Sequence, residues 1–306
     1  MRSSLTSGVL AVGIAFIMVA CSAPEPLPAG PRELTDGLGR QIALPSSVER
    51  IVSLAPSNTE MLFAIGAGSQ VVGRDEVSDY PASAADVASI GSTFGELNTE
   101  AILALEPDLV LAADITAPEQ LQSLEELGLT TFVVPNPIDF DGLYDNLLTI
   151  GKITGHGDEA ADLAKVLRSR MEAVTALTIN ADPTTVFYEI DGSDPTAPWT
   201  TGSSTFQDLL IELAGGANVA AGIDGWGQID LEELVIQNPE VIVFATAPFI
   251  VTTSQSLAER PGWGGIAAVQ SERVVSIDTN WIDRPGPRLI DGLEALARAL
   301  HPDLFE

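Results

Sequence analysis

The apolar and polar positions of this chain repeat one pattern twice. The first copy is the segment 94–112, FGELNTEAILALEPDLVLA, and the second is the segment 226–245, WGQIDLEELVIQNPEVIVFA. Each copy contains an aromatic residue, a glutamate, a proline and a β-branched apolar run, and the second copy follows the first at a constant offset of 132 positions. The matched pairs are Phe94 and Trp226, Glu100 and Glu232, and Pro107 and Pro239. A constant offset across three kinds of residue indicates two similar halves within one chain.

Each copy also predicts the same local structure. Asn98 and Asp230 can cap the start of a helix, because a short polar side chain accepts hydrogen bonds from the free N–H groups there. The apolar positions that follow fit a short, mostly buried helix, and the proline ends it. The runs LVLA and VIVFA are typical of parallel strands covered on both faces. We therefore expect a loop, a helix, a tight turn and a buried strand in each copy, with the aromatic residue in the loop.

The rest of the chain alternates strand-like and helix-like segments. Strands are predicted at 50–54, 71–73, 132–134, 186–190 and 274–277, and helices at 59–65, 121–127, 143–153, 203–213 and 288–300. A longer amphipathic segment, 159–177, contains neither glycine nor proline and places Leu163, Leu167, Met171 and Val174 along one stripe. This alternation predicts an α/β fold with two Rossmann-like lobes, each built on a parallel sheet, joined by that single long helix.

The first 20 residues predict a targeting segment rather than part of the fold. Arg2 precedes an apolar run that is too short to span a membrane, and the small residue Ala20 precedes Cys21. The tetrapeptide MVAC resembles the lipobox of bacterial lipoproteins, whose cysteine is lipidated; an ordinary signal peptide with an incidental cysteine is the alternative. The predicted division is a signal peptide (1–20), a proline-rich tether (21–34), an N-terminal lobe (35–153), a linking helix (154–179) and a C-terminal lobe (180–306).

Composition narrows the classes of function. The 306 residues include 43 acidic and 14 basic side chains, for a net charge of −29, which argues against binding to nucleic acid or to anionic lipid through charge. One cysteine and two histidines exclude an internal disulfide and supply too few ligands for a zinc site of the usual kind. We expect no metal site; a site made of carboxylates alone is the alternative, although the spacing of an EF-hand loop is absent from the sequence. The sequence also lacks the motifs of a serine hydrolase or a P-loop enzyme, and we expect neither catalytic residues nor a cofactor.

Aromatic residues cluster in the connections between the predicted elements. In parallel α/β sheets, ligands bind beyond the carboxyl ends of the strands, where these connections lie. The aromatic residues in such segments are Tyr80 and Phe94 in the first half and Trp199, Trp226, Trp263 and Trp281 in the second. Tryptophans in loops that face a cleft indicate a large, partly apolar ligand, although each one alone could be a loop anchor.

Several of these segments resemble one family of proteins. The segments are SLAPSNTEMLFAIGAG, VSDYP, STFGELNTEAILALEPDLVLA, PWTTGSSTFQDLLIELAGGANV, GWGQIDLEELVIQNPEVIVF and NWIDRPGPR. The chain resembles the solute-binding proteins of ATP-driven (ABC) importers for vitamin B12 and for iron–siderophore or haem complexes, and is most similar to the B12-binding branch. The resemblance implies a monomer outside the cytoplasm that holds its ligand between two lobes, hinges little and delivers the ligand to a permease dimer.

The resemblance also implies roles for individual residues. Ligand contacts are implied for Phe94, Trp199, Trp226, Asn280, Trp281 and Arg284. Val77 stands where an aromatic residue is expected, Ala113 is near another such position, and Tyr80 could compensate for these losses. These departures leave a corrinoid, a ferric siderophore or haem open as the ligand. Glu100 and Glu232 match the two glutamates that dock onto permease arginines, although acids also suit a helix N-terminus.

Two arginines are held close together by the segment RPGPR, at positions 284 and 288. Arg284 could meet a phosphate or carboxylate of the ligand, or it could pair with a surface acid. For Arg288 a surface acid is the expected partner. A tethered protein-interaction module without a small ligand is the alternative of another class, and it would be favoured if the loop tryptophans lined no cavity.

Overall fold

The computed structural model describes residues 32–246 and 253–305. The N-terminal half alternates strands with helices. Its elements are β1 (Arg32–Thr35), β2 (Gln41–Leu44), β3 (Ile51–Ser53), α1 (Pro56–Ala64), β4 (Val71–Arg74), α2 (Thr99–Ala104), β5 (Leu109–Ala113), α3 (Pro118–Glu126), β6 (Thr131–Val134) and α4 (Phe140–Thr154). The predicted elements of this half are all present, with bounds shifted by a few residues.

The N-terminal lobe is built on a parallel sheet in the order β4-β3-β5-β6. All residues of β3, β5 and β6 are buried, as their continuous apolar runs predict. A separate antiparallel hairpin, β1–β2, begins at Arg32, within the segment that the sequence assigned to the tether. Its position is fixed because the Arg32 guanidinium donates hydrogen bonds to the carbonyl oxygens of Lys152 and Ile153 at the end of α4, at 2.6 and 3.0 Å.

The long helix α5 (Gly157–Thr178) connects the two halves. The C-terminal half then contains β7 (Thr184–Asp191), β8 (Trp199–Thr201), α6 (Phe206–Leu213), β9 (Gly216–Asn218), β10 (Trp226–Gln228), α7 (Leu231–Gln237), β11 (Val241–Thr246), α8 (Ser254–Ala258), α9 (Ala267–Gln270), β12 (Val274–Asp278), α10 (Thr279–Ile282) and α11 (Leu289–Leu300). Strands β9, β7, β11 and β12 form the parallel part of its sheet. The short strands β8 and β10 extend this sheet antiparallel from the carboxyl end of β7.

One hydrophobic core runs through both lobes by way of α5. Leu167 and Val174 of α5 lie in the same buried cluster as Leu147 of α4 and Leu293 of α11. On the surface of this junction, Arg170 of α5 forms ion pairs with Asp291 and Glu294 of α11, at 2.7 and 2.9 Å. The predicted architecture of two α/β lobes joined by a single long helix is therefore confirmed. The stiffness of the connection stays a prediction, and the continuous core favours it.

The sequence repeat is also a structural repeat. Helices α2 and α7 begin at residues 99 and 231, and strands β5 and β11 begin at 109 and 241, so the offset of 132 holds for both elements. The predicted cap is present at Asn98, whose side chain accepts a hydrogen bond from the N–H of Ala101 at 3.1 Å. Asp230 occupies the same position before α7, but its side chain makes no capping hydrogen bond. The prediction of a side-chain cap there is wrong, because position alone does not fix the rotamer.

Candidate functional site

A cleft of about 530 Å³ lies between the lobes. The N-terminal lobe contributes residues from the carboxyl ends of β3, β4 and β5, and the C-terminal lobe contributes β8, β10, the start of α6 and the segment before α11. The side chains that line the cleft include Asp75, Val77, Phe94, Ala113, Ile115, Ile190, Trp199, Phe206, Gln207, Trp226, Thr279, Asp283 and Arg284. The location agrees with the rule that parallel sheets bind ligands beyond the carboxyl ends of their strands.

Two tryptophans form the wall of the C-terminal lobe. In the ribbon of β8 and β10, Trp226 lies opposite Thr201 and Gln228 lies opposite Trp199. Because residues two apart on a strand, and residues directly opposite across a ladder, share a face, both tryptophans lie on the same face of the ribbon. Each remains almost half exposed, at 44% for Trp199 and 45% for Trp226. The sequence predicted both in loops; they lie in short strands instead, because β8 and β10 pair with each other.

A buried network holds the Trp226 ring in place. The ring packs edge-on against Phe206, with centroids 6.1 Å apart, and its Nε1 donates to Gln207 Oε1 at 3.2 Å. The Gln207 amide in turn donates to Asp283 Oδ1 at 3.2 Å, and the Tyr188 hydroxyl donates to the same oxygen at 2.6 Å. Burial, together with the neighbouring Asp283 carboxylate, raises the pKa of Tyr188 well above its usual value, so this hydroxyl stays a donor.

The wall of the N-terminal lobe is apolar at its rim and acidic at its base. Phe94 is 74% exposed, and Val77 and Ile115 are also exposed at the rim. Below them, the fully buried Asp75 carboxylate accepts hydrogen bonds from the Ser78 hydroxyl and from the N–H of Val77. Burial raises the pKa of Asp75, while these two donors oppose the shift.

Two ion pairs join the lobes beside the cleft. Arg284 donates to Asp79 at 2.8 Å and to the carbonyl oxygen of Val77 at 3.1 Å, so it pairs with a surface acid, which is one of the two alternatives that the sequence left open. Arg288 donates through its Nε and its backbone N–H to the two carboxylate oxygens of Glu60, at 2.9 and 3.0 Å. Glu60 is only 2% exposed, and burial raises its pKa while Arg288 opposes the shift. The prediction of a surface partner for Arg288 is therefore wrong.

The structure brings four of the seven predicted ligand residues together in the cleft. Phe94, Trp199, Trp226 and Arg284 contribute to its lining, and so do Val77, which stands where the resemblance expects an aromatic residue, and Ala113, which is near another such position. The remaining three lie outside the lining. The Arg288 guanidinium stacks on the Tyr80 ring at 3.7 Å, Trp281 packs against the hydrophobic core, and the N–H of Asn280 donates to Asp278. Ligand contact by these three stays a prediction.

Trp263 does not face the cleft. Its ring is fully buried, packs edge-on against Phe187 and lies beneath the guanidinium of Arg260, while its Nε1 donates to the carbonyl oxygen of Pro195 at 2.9 Å. Its inclusion among the aromatic residues of the site is wrong. A proline- and glycine-rich sequence around a tryptophan does not reveal whether the loop folds back over the core.

Sequence reasoning missed the polar residues of the cleft. Asp75 directly follows β4, so the rule on the carboxyl ends of strands could have found it. Gln207 and Asp283 carry no such signal, because they reach the cleft only through the packing of α6 against the segment before α11.

Glu100 and Glu232 lie in the first turns of α2 and α7, and both are exposed. Within the described residues, neither carboxylate has an ion-pair or hydrogen-bond partner. One turn further on, exposed apolar residues stand at equivalent positions of the two helices, Leu103 and Val235, again 132 positions apart, and α7 also exposes Ile236. The two lobes therefore present similar small surfaces, in which an exposed acid lies next to an exposed apolar side chain.

Comparison with known proteins defines the class. The periplasmic binding protein family matches residues 51–280 of this chain. The chain is 32% identical over 282 residues to YvrC of Bacillus subtilis (strain 168), named as an ABC transporter substrate-binding lipoprotein, covering 90% of this chain and 87% of YvrC. It is 30% identical over 291 residues to a protein of Halobacterium salinarum (strain ATCC 29341 / DSM 671 / R1) named as cobalamin-binding, covering 92% of this chain and 75% of that protein.

A solved structure supports the same class. The periplasmic heme-binding protein RhuT from Roseiflexus sp. RS-1, in its apo form, superposes with a TM-score of 0.75 at 27% identity, covering 84% of this chain and 99% of that one. The chain belongs to the periplasmic binding protein family. Its fold, its inter-lobe cleft and its relatives define a substrate-binding protein of an ABC transporter, not an enzyme.

Proposed function

We propose that this protein captures cobalamin or a related corrinoid in the cleft between its lobes and delivers it to an ABC-transporter permease. The observation that carries the proposal is the pair of aromatic walls, Trp199 and Trp226 from one lobe and Phe94 from the other, which face one cleft. A corrin is a large, flat, partly apolar ring that can stack between such walls. The cleft volume of about 530 Å³ also lies in the range that small-molecule sites occupy.

Haem is a weaker fit to this cleft. Haem iron in proteins is held by histidine, cysteine, methionine or tyrosine side chains. The lining residues, all within the described ranges, include none of these four types. Tyr188 lies beneath the cleft, is fully buried and donates to Asp283, so its oxygen is not free to bind iron.

A ferric siderophore is the second candidate ligand, because Arg284 could bind an anionic group of such a ligand. Anionic siderophores favour several arginines around the ligand, whereas Arg284 is the one basic residue among the lining side chains that the structure describes. Both terminal nitrogens of Arg284 already donate, to Asp79 and to Val77. A protein-interaction module without a small ligand is disfavoured, because the exposed tryptophans line a cavity.

Titration with defined ligands tests the proposal. Cobalamin and cobinamide should each quench the tryptophan fluorescence of the purified protein and give a calorimetric binding heat. Changing Trp226→Ala and Trp199→Ala should weaken binding by about tenfold or more, because each substitution removes a stacking surface. Trp263→Phe is the matched control outside the cleft, and it should leave the affinity unchanged. Absence of heat with both corrinoids, together with clear binding of a ferric siderophore, would favour the second candidate.

Delivery to the permease is proposed to use the matched surfaces of α2 and α7. Glu100 and Glu232 are exposed, have no partner among the residues that the structure describes and are held on one stiff body, so they are suited to meet two basic sites on a permease dimer. An exposed ion pair contributes only about 0–1 kcal/mol. Two such pairs at a fixed separation would therefore set the orientation of the complex more than its affinity.

Anchoring through a lipid on Cys21 is the remaining part of the proposal. Cys21 and the targeting segment lie outside the described residues, and the support comes from the lipobox resemblance and from the lipoprotein name of YvrC. Within the described residues, no helix is both long enough and apolar enough to cross a bilayer. Mass spectrometry of the protein extracted from membranes should find the lipid on Cys21, and Cys21→Ser should release the protein from the membrane fraction.

A further inference from the structure

We propose that the cleft selects corrinoids whose side chains are amides over corrinoids whose side chains are free carboxylates, and that Asp283 is the residue that imposes this choice, with Asp75 reinforcing it. The inference rests on the proposed function and names the substrate class more narrowly. It follows from the charges and hydrogen-bond acceptors at the base of the cleft.

Asp283 is a partly exposed acceptor on the wall of the C-terminal lobe. Its Oδ1 accepts hydrogen bonds from Tyr188 and Gln207, and its Oδ2 accepts one from the Thr279 hydroxyl at 2.9 Å. A carboxylate has about four acceptor positions, so Oδ2 keeps capacity for another donor. All three of these neighbours donate to Asp283, so both of its carboxylate oxygens act as acceptors.

Asp75 places a second negative charge on the opposing wall. It is buried below Val77, where it accepts from Ser78 and from the N–H of Val77. Since it is fully buried, it acts on a ligand through its field rather than by direct contact. Burial disfavours its charge, and the hydrogen bonds from Ser78 and the N–H of Val77, together with Arg284 and Arg74, oppose that effect. Asp75 and Asp283 come from different lobes and lie at the same cleft.

The basic residue of the lining does not offset these charges. The guanidinium of Arg284 is paired with Asp79 at 2.8 Å, and Arg74 lies near Asp75 without lining the cleft. The three acids Asp75, Asp79 and Asp283 still outnumber these two arginines, so the group carries an excess of negative charge. A ligand carboxylate brought into this cleft meets like charge and loses its hydration. A ligand amide, by contrast, offers N–H groups to Asp283, and a hydrogen bond to an ionised acceptor is stronger than one between neutral groups.

The test compares two probes that share a corrin ring. Cobinamide carries amide side chains, and cobyrinic acid carries carboxylates in their place. At pH 7.5, calorimetry on the purified full-length chain should give a dissociation constant for cobinamide at least about tenfold lower than that for cobyrinic acid. Asp283→Asn should reduce the ratio of the two dissociation constants, cobyrinic acid over cobinamide, by about threefold or more. The reason is that asparagine keeps an acceptor for Tyr188 and Gln207 while removing the charge. Asp75→Asn should narrow it in the same direction by a smaller factor.

Asp162→Asn is the matched control, since Asp162 is an exposed acid of α5 that does not line the cleft, and it should leave the ratio unchanged. Equal affinity for the two probes, or a ratio that neither Asp283→Asn nor Asp75→Asn alters, would overturn the inference while leaving corrinoid binding intact. Failure of both probes to bind would overturn the proposed function, and the inference with it. Thermal melts of each variant separate a loss of selectivity from a loss of folding.

Discussion

Glu106 and Asn238 adopt the same unusual backbone conformation at the same point of the two repeats. Their φ angles are +44° and +46°, and each directly precedes the proline that starts the turn into β5 or β11. Asparagine tolerates this left-handed conformation, whereas glutamate adopts it at a cost in free energy. The two halves thus share a backbone requirement that only the second half meets with a suitable residue.

Replacing Glu106 should therefore stabilise the protein. Glu106→Asn is expected to raise the free energy of unfolding by about 0.5–1 kcal/mol, because it relieves backbone strain at an exposed side chain. Urea unfolding measures the change. Glu106→Ala is the control, since alanine keeps the Cβ without the local hydrogen bonding of asparagine, and it should give little or no gain. A gain from alanine as large as that from asparagine would contradict the explanation.

At the scale of elements, α2 and α7 are equivalent but do not begin in the same way. Asn98 caps α2 with its side chain, whereas α7 lacks such a hydrogen bond from Asp230. What both helices keep is an exposed acid in the first turn and an exposed apolar residue one turn later. These shared features are the ones on which the proposed docking to a common partner rests.

Removing both acids should abolish delivery without affecting capture. We expect Glu100→Ala combined with Glu232→Ala to lower ligand uptake by cells at least about tenfold, while the affinity for the ligand stays unchanged, because neither residue lines the cleft. Each single substitution should have an intermediate effect. Uptake assays and calorimetry on the same variants measure the two quantities.

Glu233→Ala provides a matched control for this experiment. Glu233 is also an exposed acid in the first turn of α7, but the first repeat has Ala101 at the equivalent position. Uptake by this variant should be normal. A collapse of ligand affinity in the double variant, or an equal loss of uptake in the control, would show that the docking role is wrong.

At the scale of the whole molecule, the lobes are joined both by α5 and by contacts beside the cleft. The pair Glu60–Arg288 links α1 of one lobe to the residue before α11 of the other, and the Arg288 guanidinium also covers Tyr80. The pair Asp79–Arg284 lies next to it with the Asp79 side chain 65% exposed. Together with the continuous core, these contacts limit hinge motion between the lobes.

Breaking the buried pair Glu60–Arg288 should destabilise the protein far more than breaking the exposed pair Asp79–Arg284. Glu60→Ala leaves the mostly buried Arg288 without its carboxylate, and a loss of about 3–5 kcal/mol in the free energy of unfolding is expected. Asp79→Ala removes an exposed partner and should cost about 0–1 kcal/mol. Denaturant unfolding of both variants tests this contrast. Equal losses would mean that Glu60 is less isolated from water than its burial indicates.

Local patterns in the sequence were enough to predict the class of fold and most of the elements, but not the short strands β8, β9 and β10. Continuous apolar runs predicted strands β5 and β11, and an amphipathic segment without glycine or proline predicted helix α5. The constant offset of 132 positions predicted two similar lobes. These features succeed because periodicity, capping residues and prolines act over a few neighbouring positions. The same patterns predicted that ligands would lie at the carboxyl ends of the strands, and the cleft is there.

The membership of the site was decided only by the tertiary structure. Trp199, Trp226 and Trp263 occupy similar proline- and glycine-rich surroundings in the sequence, yet the pairing of β8 with β10 exposes two of them and packing against Phe187 buries the third. Arg284 and Arg288 find their partners 205 and 228 positions away. Contacts of that separation depend on how the lobes pack through the shared core, and no pattern over neighbouring residues determines that packing.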